Sequence, residues 1–265
     1  MSLKIVVLAK QVPDTRNVGP DAMTPEGTVN RSALPAIFNP EDLNALEQAL
    51  RLKDQFPGTT VNVITMGPGR AAEVIREAMY RGADGGYLLT DRAFAGADTL
   101  ATSYALATAI KHVCPDVDLI IGGRQAIDGD TAQVGPAIAE HMGIPHAAWV
   151  TELTVEGDGV NARQQLQDVI ETVHMPFPCL VTVEQDIFMP RLPSLKIARE
   201  IKDKEIHIQG LDSFLDTDES HYGLSGSPTQ VERIFPPDND TEHEMWEGPD
   251  LANRLHGQLK KWKFV

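Results

Sequence analysis

LIIGGRQAIDGDTAQVGPAIAEHMGIP, running from Leu119 to Pro145, reads as a strand, a tight glycine-bearing loop and a helix. Leu119-Ile120-Ile121 is a short apolar run, Gly122 and Gly123 let the chain turn without a Cβ clash, and apolar residues recur at helical spacing from Gln133 to Met142. Gly143 and Pro145 stop the helix. Pro136 marks its start, because a proline in a helix interior forfeits a hydrogen bond while one in the first turn replaces a donor already unpaired. Regular helix is therefore predicted from near Gln133. The N–H groups of Gly129 to Ala132, with the positive end of the helix dipole, are then placed to face an anion such as a phosphate or pyrophosphate. The plainer reading has Asp128 and Asp130 capping the helix and the glycines shaping an ordinary turn.

Upstream, strand and helix patterns alternate. Lys4 to Ala9 is aliphatic without alternation, as in a strand covered on both faces of a parallel sheet. Gln11 to Ile37 is polar and rich in Pro, Gly and Thr, and predicts a long functional loop. Asn39-Pro40-Glu41-Asp42 opens a helix to about Phe56, with Asn39 placed to cap, Pro40 at the first position and two acids in the first turn. Leu43, Ala45, Leu46, Ala49 and Leu50 form its apolar face. A strand from Val61 to Met66, a helix from Ala71 to Arg81, a strand from Gly86 to Leu89 and a helix from Thr99 to about Cys114 follow. This order predicts an α/β fold with a doubly wound, mostly parallel sheet, Rossmann-like and of adenine-nucleotide-binding type. In such sheets ligands sit beyond the carboxyl ends of the strands, where Ala9-Lys10, Met66-Gly67 and Gly122 to Ala132 converge.

Downstream, four segments read as shorter alternating strands: Trp149 to Val155, Val160 to Leu166, Asp168 to His174 and Cys179 to Val183. Gly157-Asp158-Gly159 is a hairpin turn, and the four are expected to extend the sheet in antiparallel fashion. Glu184 to Lys202 then gathers Ile187, Phe188, Met189 and Leu192 around two prolines. These side chains either form a docking surface or pack beneath the loop. Residues 210–265 show no regular succession until Leu251, Leu255 and Leu259 recur along one helix face. They are expected to form a C-terminal arm that lies against a partner, distinct from an α/β domain spanning 1–209, with Asp238 to Glu244 a solvated acidic linker.

Composition bounds the chemistry. The 265 residues, 42% of them hydrophobic, suffice for a buried core, and a net charge of −15 argues against nucleic-acid binding. Two cysteines, Cys114 and Cys179, make no disulfide framework or metal spacing, and no apolar run is long enough for a bilayer. A soluble protein of a reducing cytoplasm, with no export leader, is expected. The eight histidines are scattered, so no metal site is expected. No GxGxxG, P-loop, HExxH, CxxC or GxSxG pattern occurs. No catalytic side chain stands out, which leaves any chemistry to a bound cofactor.

GGRQAIDGDTAQVGP, with AKQVPD at Ala9 to Asp14, FNPED at Phe38 to Asp42 and GSPTQVERIFPP at Gly226 to Pro237, resembles the β subunit of electron transfer flavoprotein. That resemblance implies a heterodimer with an α subunit carrying one FAD, and a nucleotide on this chain held at Ala9, Asn39, Pro40, Glu41, Asp42, Met66 and Asp128 to Ala137. The last run comprises Asp128, Gly129, Asp130, Thr131, Ala132, Gln133, Val134, Gly135, Pro136 and Ala137. The loop is similar to that of the electron-bifurcating branch, whose β subunit binds a second FAD; AMP is the alternative, in members that only shuttle electrons. Small residues at Gly129 and Ala132 would let a pyrophosphate approach the backbone. The bifurcating resemblance implies hydride transfer from NADH to this FAD. One electron then passes to ferredoxin or flavodoxin and the other, through the α-subunit FAD, to an acyl-CoA dehydrogenase or a quinone reductase. Glu184 to Lys202 matches the family's partner-recognition loop, with Leu195 as its apolar anchor and Ile187, Phe188, Met189 and Leu192 around it. The residues flanking Leu195 depart from the family pattern. A nucleotide-binding regulatory protein of the same architecture is a third reading.

Overall fold

The computed structural model describes residues 1–14, 34–232 and 244–265. Its sheet contains strands β1 (Lys4–Leu8), β4 (Thr60–Met66), β5 (Gly85–Leu89), β6 (Leu119–Gly123), β7 (His146–Glu156), β8 (Gly159–Gln165), β9 (Ile170–Pro176), β10 (Cys179–Val183) and β11 (His207–Gln209). The order is β11-β5-β4-β1-β6-β10-β7-β8-β9. Every pairing from β11 to β7 is parallel; β7–β8 and β8–β9 are antiparallel. This is the doubly wound sheet that the alternation predicted.

Helices cover both faces because alternate residues of each strand point opposite ways. Ile5 and Val7 share a core with Leu46 and Leu50 of α1 (Pro40–Gln55) and Ile75 and Met79 of α2 (Ala72–Arg81). Val6 and Leu8 share the other with Leu106 and Ile110 of α3 (Thr99–Val113) and Ile138 of α4 (Val134–Met142). Pro136 falls in the first turn of α4, and Gly143, at φ 68°, closes that helix in the left-handed conformation.

Three expectations need correction. Cys179–Val183 does not belong to the antiparallel extension: β10 lies between β6 and β7, parallel to both. All five of its residues are buried, so it is a central strand without a solvent face. The ends of the long loop pair as β2 (Gln11–Pro13) and β3 (Ala36–Phe38). Residues 211–227 do not form a bare arm, because Leu211, Phe214 and Tyr222 are buried against Phe94. The helix α6 (Leu251–Lys261) buries none of its residues, and most of the acidic segment Asp238 to Glu244 lies outside the described residues.

Candidate functional site

A cavity of about 430 Å³ opens beyond the carboxyl ends of β4, β1 and β6. Topology dictates its position: after β1 the chain fills the sheet outward through β4 and β5, then returns to β6 on the other side of β1, so the connecting loops diverge there. Leu8, Ile64, Met66, Phe94 and Leu106 give the cavity its apolar lining, and Arg124 to Ala126, Gly129 and Thr131 to Gly135 supply nearly half of the rest.

Within that loop the amides divide into two groups. The N–H groups of Gly129 and Asp130 both donate to the Ala126 carbonyl, at 3.1 and 2.9 Å. Those of Thr131, Ala132, Gln133, Val134 and Gly135 find no acceptor among the described residues, and all five residues line the cavity. Of the amides at Gly129 to Ala132 expected to face an anion, only those of Thr131 and Ala132 are without an acceptor among the described residues, and the run continues to Gly135. Asp130 and Ala132 adopt positive φ, 49° and 53°, at a cost of order 1 kcal/mol each for residues with a Cβ. The capping reading of the two acids fails: Asp128 receives the Lys10 ammonium at 2.7 Å, Asp130 accepts from Gln125 Nε2 at 3.0 Å, and Gln133 at the N-cap has no side-chain cap bond. No side-chain cap among the described residues covers the positive end of α4.

The start of α1 clamps this loop from behind. Asn39 makes no capping bond to its own helix; it donates to the Gln125 carbonyl at 2.9 Å and accepts from the Ile127 N–H at 3.3 Å. Glu41 accepts from the Gln125 N–H at 2.9 Å and pairs with Arg124 at 3.2 Å, while Arg124 also reaches Glu184 at 3.2 Å. Burial raises the Glu41 carboxyl above its ordinary range despite these partners. Asp42 accepts from the Lys10 and Gly123 N–H groups, at 2.9 and 3.2 Å, and burial pushes its carboxyl up to about 7. Gly123 permits the approach, since a Cβ there would lie 2.6 Å from the Glu41 carbonyl carbon.

Of the sequence-predicted residues, Ala9, Asp42, Met66, Gly129, Thr131, Ala132, Gln133, Val134 and Gly135 line the cavity. Asn39, Pro40, Glu41, Asp128, Asp130, Pro136 and Ala137 are not in its lining. Sequence reading missed the wall at Phe94, Gly96, Ala97, Asp98 and Thr99. The available signal was β5, whose carboxyl end feeds this segment from the same sheet edge.

The predicted docking loop is split. Met189, Leu192 and Leu195 are 89%, 84% and 79% exposed. Ile187 instead packs against the core, and Phe188 lies under Arg51, whose guanidinium carbon is 4.0 Å from the ring centre. Arg191 fastens the loop to α1 through Glu47 and Asp54, each at 2.9 Å. Burial opposes ionisation of Glu47, but the bonds from Arg191 and Arg51 prevail and hold its carboxyl below the usual range. Leu195 opens α5 (Leu195–Glu200), which Ser194 caps.

No helix among the described residues is long and apolar enough to cross a membrane, and no cluster of His, Cys, Asp or Glu among them has metal-holding geometry.

Residues 26–208 match the model of the electron transfer flavoprotein domain. The chain is 47% identical to an electron transfer flavoprotein subunit beta of Clostridium acetobutylicum, over 99% of its own length and 100% of the relative's. It is 44% identical to the caffeyl-CoA reductase-Etf complex subunit CarD of Acetobacterium woodii, over 98% of both chains. It is 40% identical to the acryloyl-CoA reductase electron transfer subunit gamma of Anaerotignum propionicum, over 94% of both. Sheet order, cavity position and full-length similarity agree: the chain belongs to the electron transfer flavoprotein family, among its β subunits.

Proposed function

We propose that this chain carries FAD in the cavity and serves, with an α subunit, as the β subunit of a cytoplasmic electron-bifurcating flavoprotein. The observation that carries the reading is the row of five amides at the start of α4 that find no acceptor among the described residues, set in a cavity with a substantial apolar lining. Amides at a helix N-terminus suit a diphosphate, and apolar walls suit flat heterocycles. Gly129 fits the same group, because a Cβ there would meet nothing within 4 Å and the backbone is open to close approach.

The charged lining residues have structural work already. Lys10 pairs with Asp128, Asp42 holds two amides, Asp98 caps α3, and Arg124 bridges Glu41 and Glu184. None is available as nucleophile or general base, so the side chains position and shield. FAD held there would supply hydride acceptance from NADH and onward single-electron transfer, to ferredoxin or flavodoxin and, by way of the α-subunit flavin, to an acyl-CoA dehydrogenase. Relatives named for caffeyl-CoA and acryloyl-CoA reductases support acyl-CoA chemistry at the receiving end. Met189, Leu192 and Leu195 are assigned to the dehydrogenase contact, and α6 to the α subunit.

The modest cavity, about 430 Å³, favours a second reading in which a mononucleotide, AMP, fills it and the complex only shuttles electrons. Coupling separates the two. The purified complex with its dehydrogenase should reduce ferredoxin from NADH only while an acyl-CoA acceptor is also reduced. A complex inert to NADH would eliminate the bifurcating reading.

A further inference from the structure

The cavity wall at 94–99 is backed by a segment more than a hundred residues away in sequence. Ser227, 5% exposed, accepts from the Asp98 N–H at 2.8 Å and donates to the Gly223 carbonyl at 2.6 Å. The Thr229 N–H donates to Asp98 Oδ2 at 3.1 Å, leaving Oδ1 to cap α3 through Leu100 and Ala101 at 2.9 and 3.0 Å. Contact along the rest of the segment is close. A Cβ on Gly223 would lie 2.1 Å from the Ala93 carbonyl oxygen, and the Leu224 N–H donates to Ala95 at 3.0 Å. Beyond the wall, Thr99 Oγ1 donates to Gln133 Oε1 at 2.9 Å, which ties the wall to the residue opening α4.

We propose that residues 222–229 are a positioning strap for the bound nucleotide, and that Ser227 is its positioning residue: by fixing Asp98 from behind, Ser227 sets the wall against the amide row of α4. The inference rests on the nucleotide reading given above. Ser227 touches no ligand in this account and acts only through Asp98 and the wall.

The test uses the full chain in complex with its family α subunit and measures release of FAD or AMP from this chain, with the α-subunit flavin as internal reference. Ser227→Ala should release the nucleotide on the order of 3- to 10-fold faster, the worth of one hydrogen bond at a buried site. Thr229→Pro, which deletes the second donor at an exposed position, should act in the same direction and carries the test if Ser227→Ala does not fold. Tyr104→Phe is the structural control, because it removes the 2.5 Å bond to Asp216, which precedes the strap, without touching Asp98. Wild-type release rates in Ser227→Ala and Thr229→Pro, or equal acceleration in Tyr104→Phe, would overturn the strap. A wild-type complex with neither nucleotide on this chain would overturn both the strap and the reading beneath it.

Discussion

Gly135→Ala is the substitution whose cost the structure defines best. Gly135 lies in the first turn of α4, where that helix packs on β10, and an added Cβ would sit 2.5 Å from Thr182 Cγ2. Thr182 is 2% exposed and β-branched, so rotating its methyl away meets occupied space. The next contact, Leu180 Cδ2 at 3.7 Å, is ordinary, which confines the clash to one methyl group. Overpacking of this kind costs about 1–3 kcal/mol, and the helix gains at most about 1 kcal/mol from replacing glycine with alanine. The net expectation is a loss of about 1–2 kcal/mol. Thr182→Ser removes the offending methyl, so Gly135→Ala made in that background should be neutral or slightly stabilising. The four-protein cycle, followed by chemical denaturation, should give a coupling energy of about 2 kcal/mol. Because α4 must retreat from β10 to relieve the clash, Gly135→Ala alone should also weaken nucleotide binding, and Thr182→Ser should restore it. A coupling energy below about 0.5 kcal/mol would mean that the helix is not seated on β10 as described.

Gly129→Leu projects a side chain into open space rather than into protein, so it should lower the nucleotide content of this chain at least several-fold with little change in melting temperature; unchanged content would remove the loop from the binding surface. Leu195→Ala should slow electron delivery to the dehydrogenase while leaving NADH oxidation intact, and equal loss of both would reject a docking role. Asp42 titrates at about 7 against an ordinary 3.8, so the folded chain holds a proton that the unfolded chain has lost. Its contribution to stability is complete below about pH 4 and disappears as pH rises through 7, a change of up to about 4 kcal/mol. Asp42→Asn cannot ionise and should flatten the fall in unfolding free energy between pH 5 and 7. An unaltered slope would show that Asp42 ionises freely in the folded state.

Much of the fold was legible because its signals are local. Pro136, Gly143 and the apolar run at Leu119 bracket β6 and α4 without reference to the rest of the chain. Cys179–Val183 was read as part of the antiparallel extension because its central position came from a crossover that short apolar runs do not encode. Asn39 met every local rule for a helix cap, yet its bonds go to Gln125 and Ile127, more than eighty residues away. Asp128 and Asp130 illustrate the same limit, with Lys10 and Gln125 drawing them off the helix end. Around 210–227 no periodicity exists to be read, since Phe214 and Tyr222 anchor the chain as separate aromatic residues rather than along a helix face. In the loop from Glu184 to Lys202 composition could not sort Ile187 from Met189; packing of Ile187 against the core did so. The cavity was visible as a convergence of strand ends, but the wall at 94–99 is one phenylalanine, one aspartate and small residues, and has no motif to announce it.

Nucleotide analysis of the purified heterodimer tests the central claim most directly. Acid release followed by chromatography should recover about two FAD per αβ pair and no AMP, one FAD belonging to the amide row of α4 in this chain. Recovery of one FAD and one AMP would contradict the bifurcating account, and would make the cavity the seat of a structural mononucleotide.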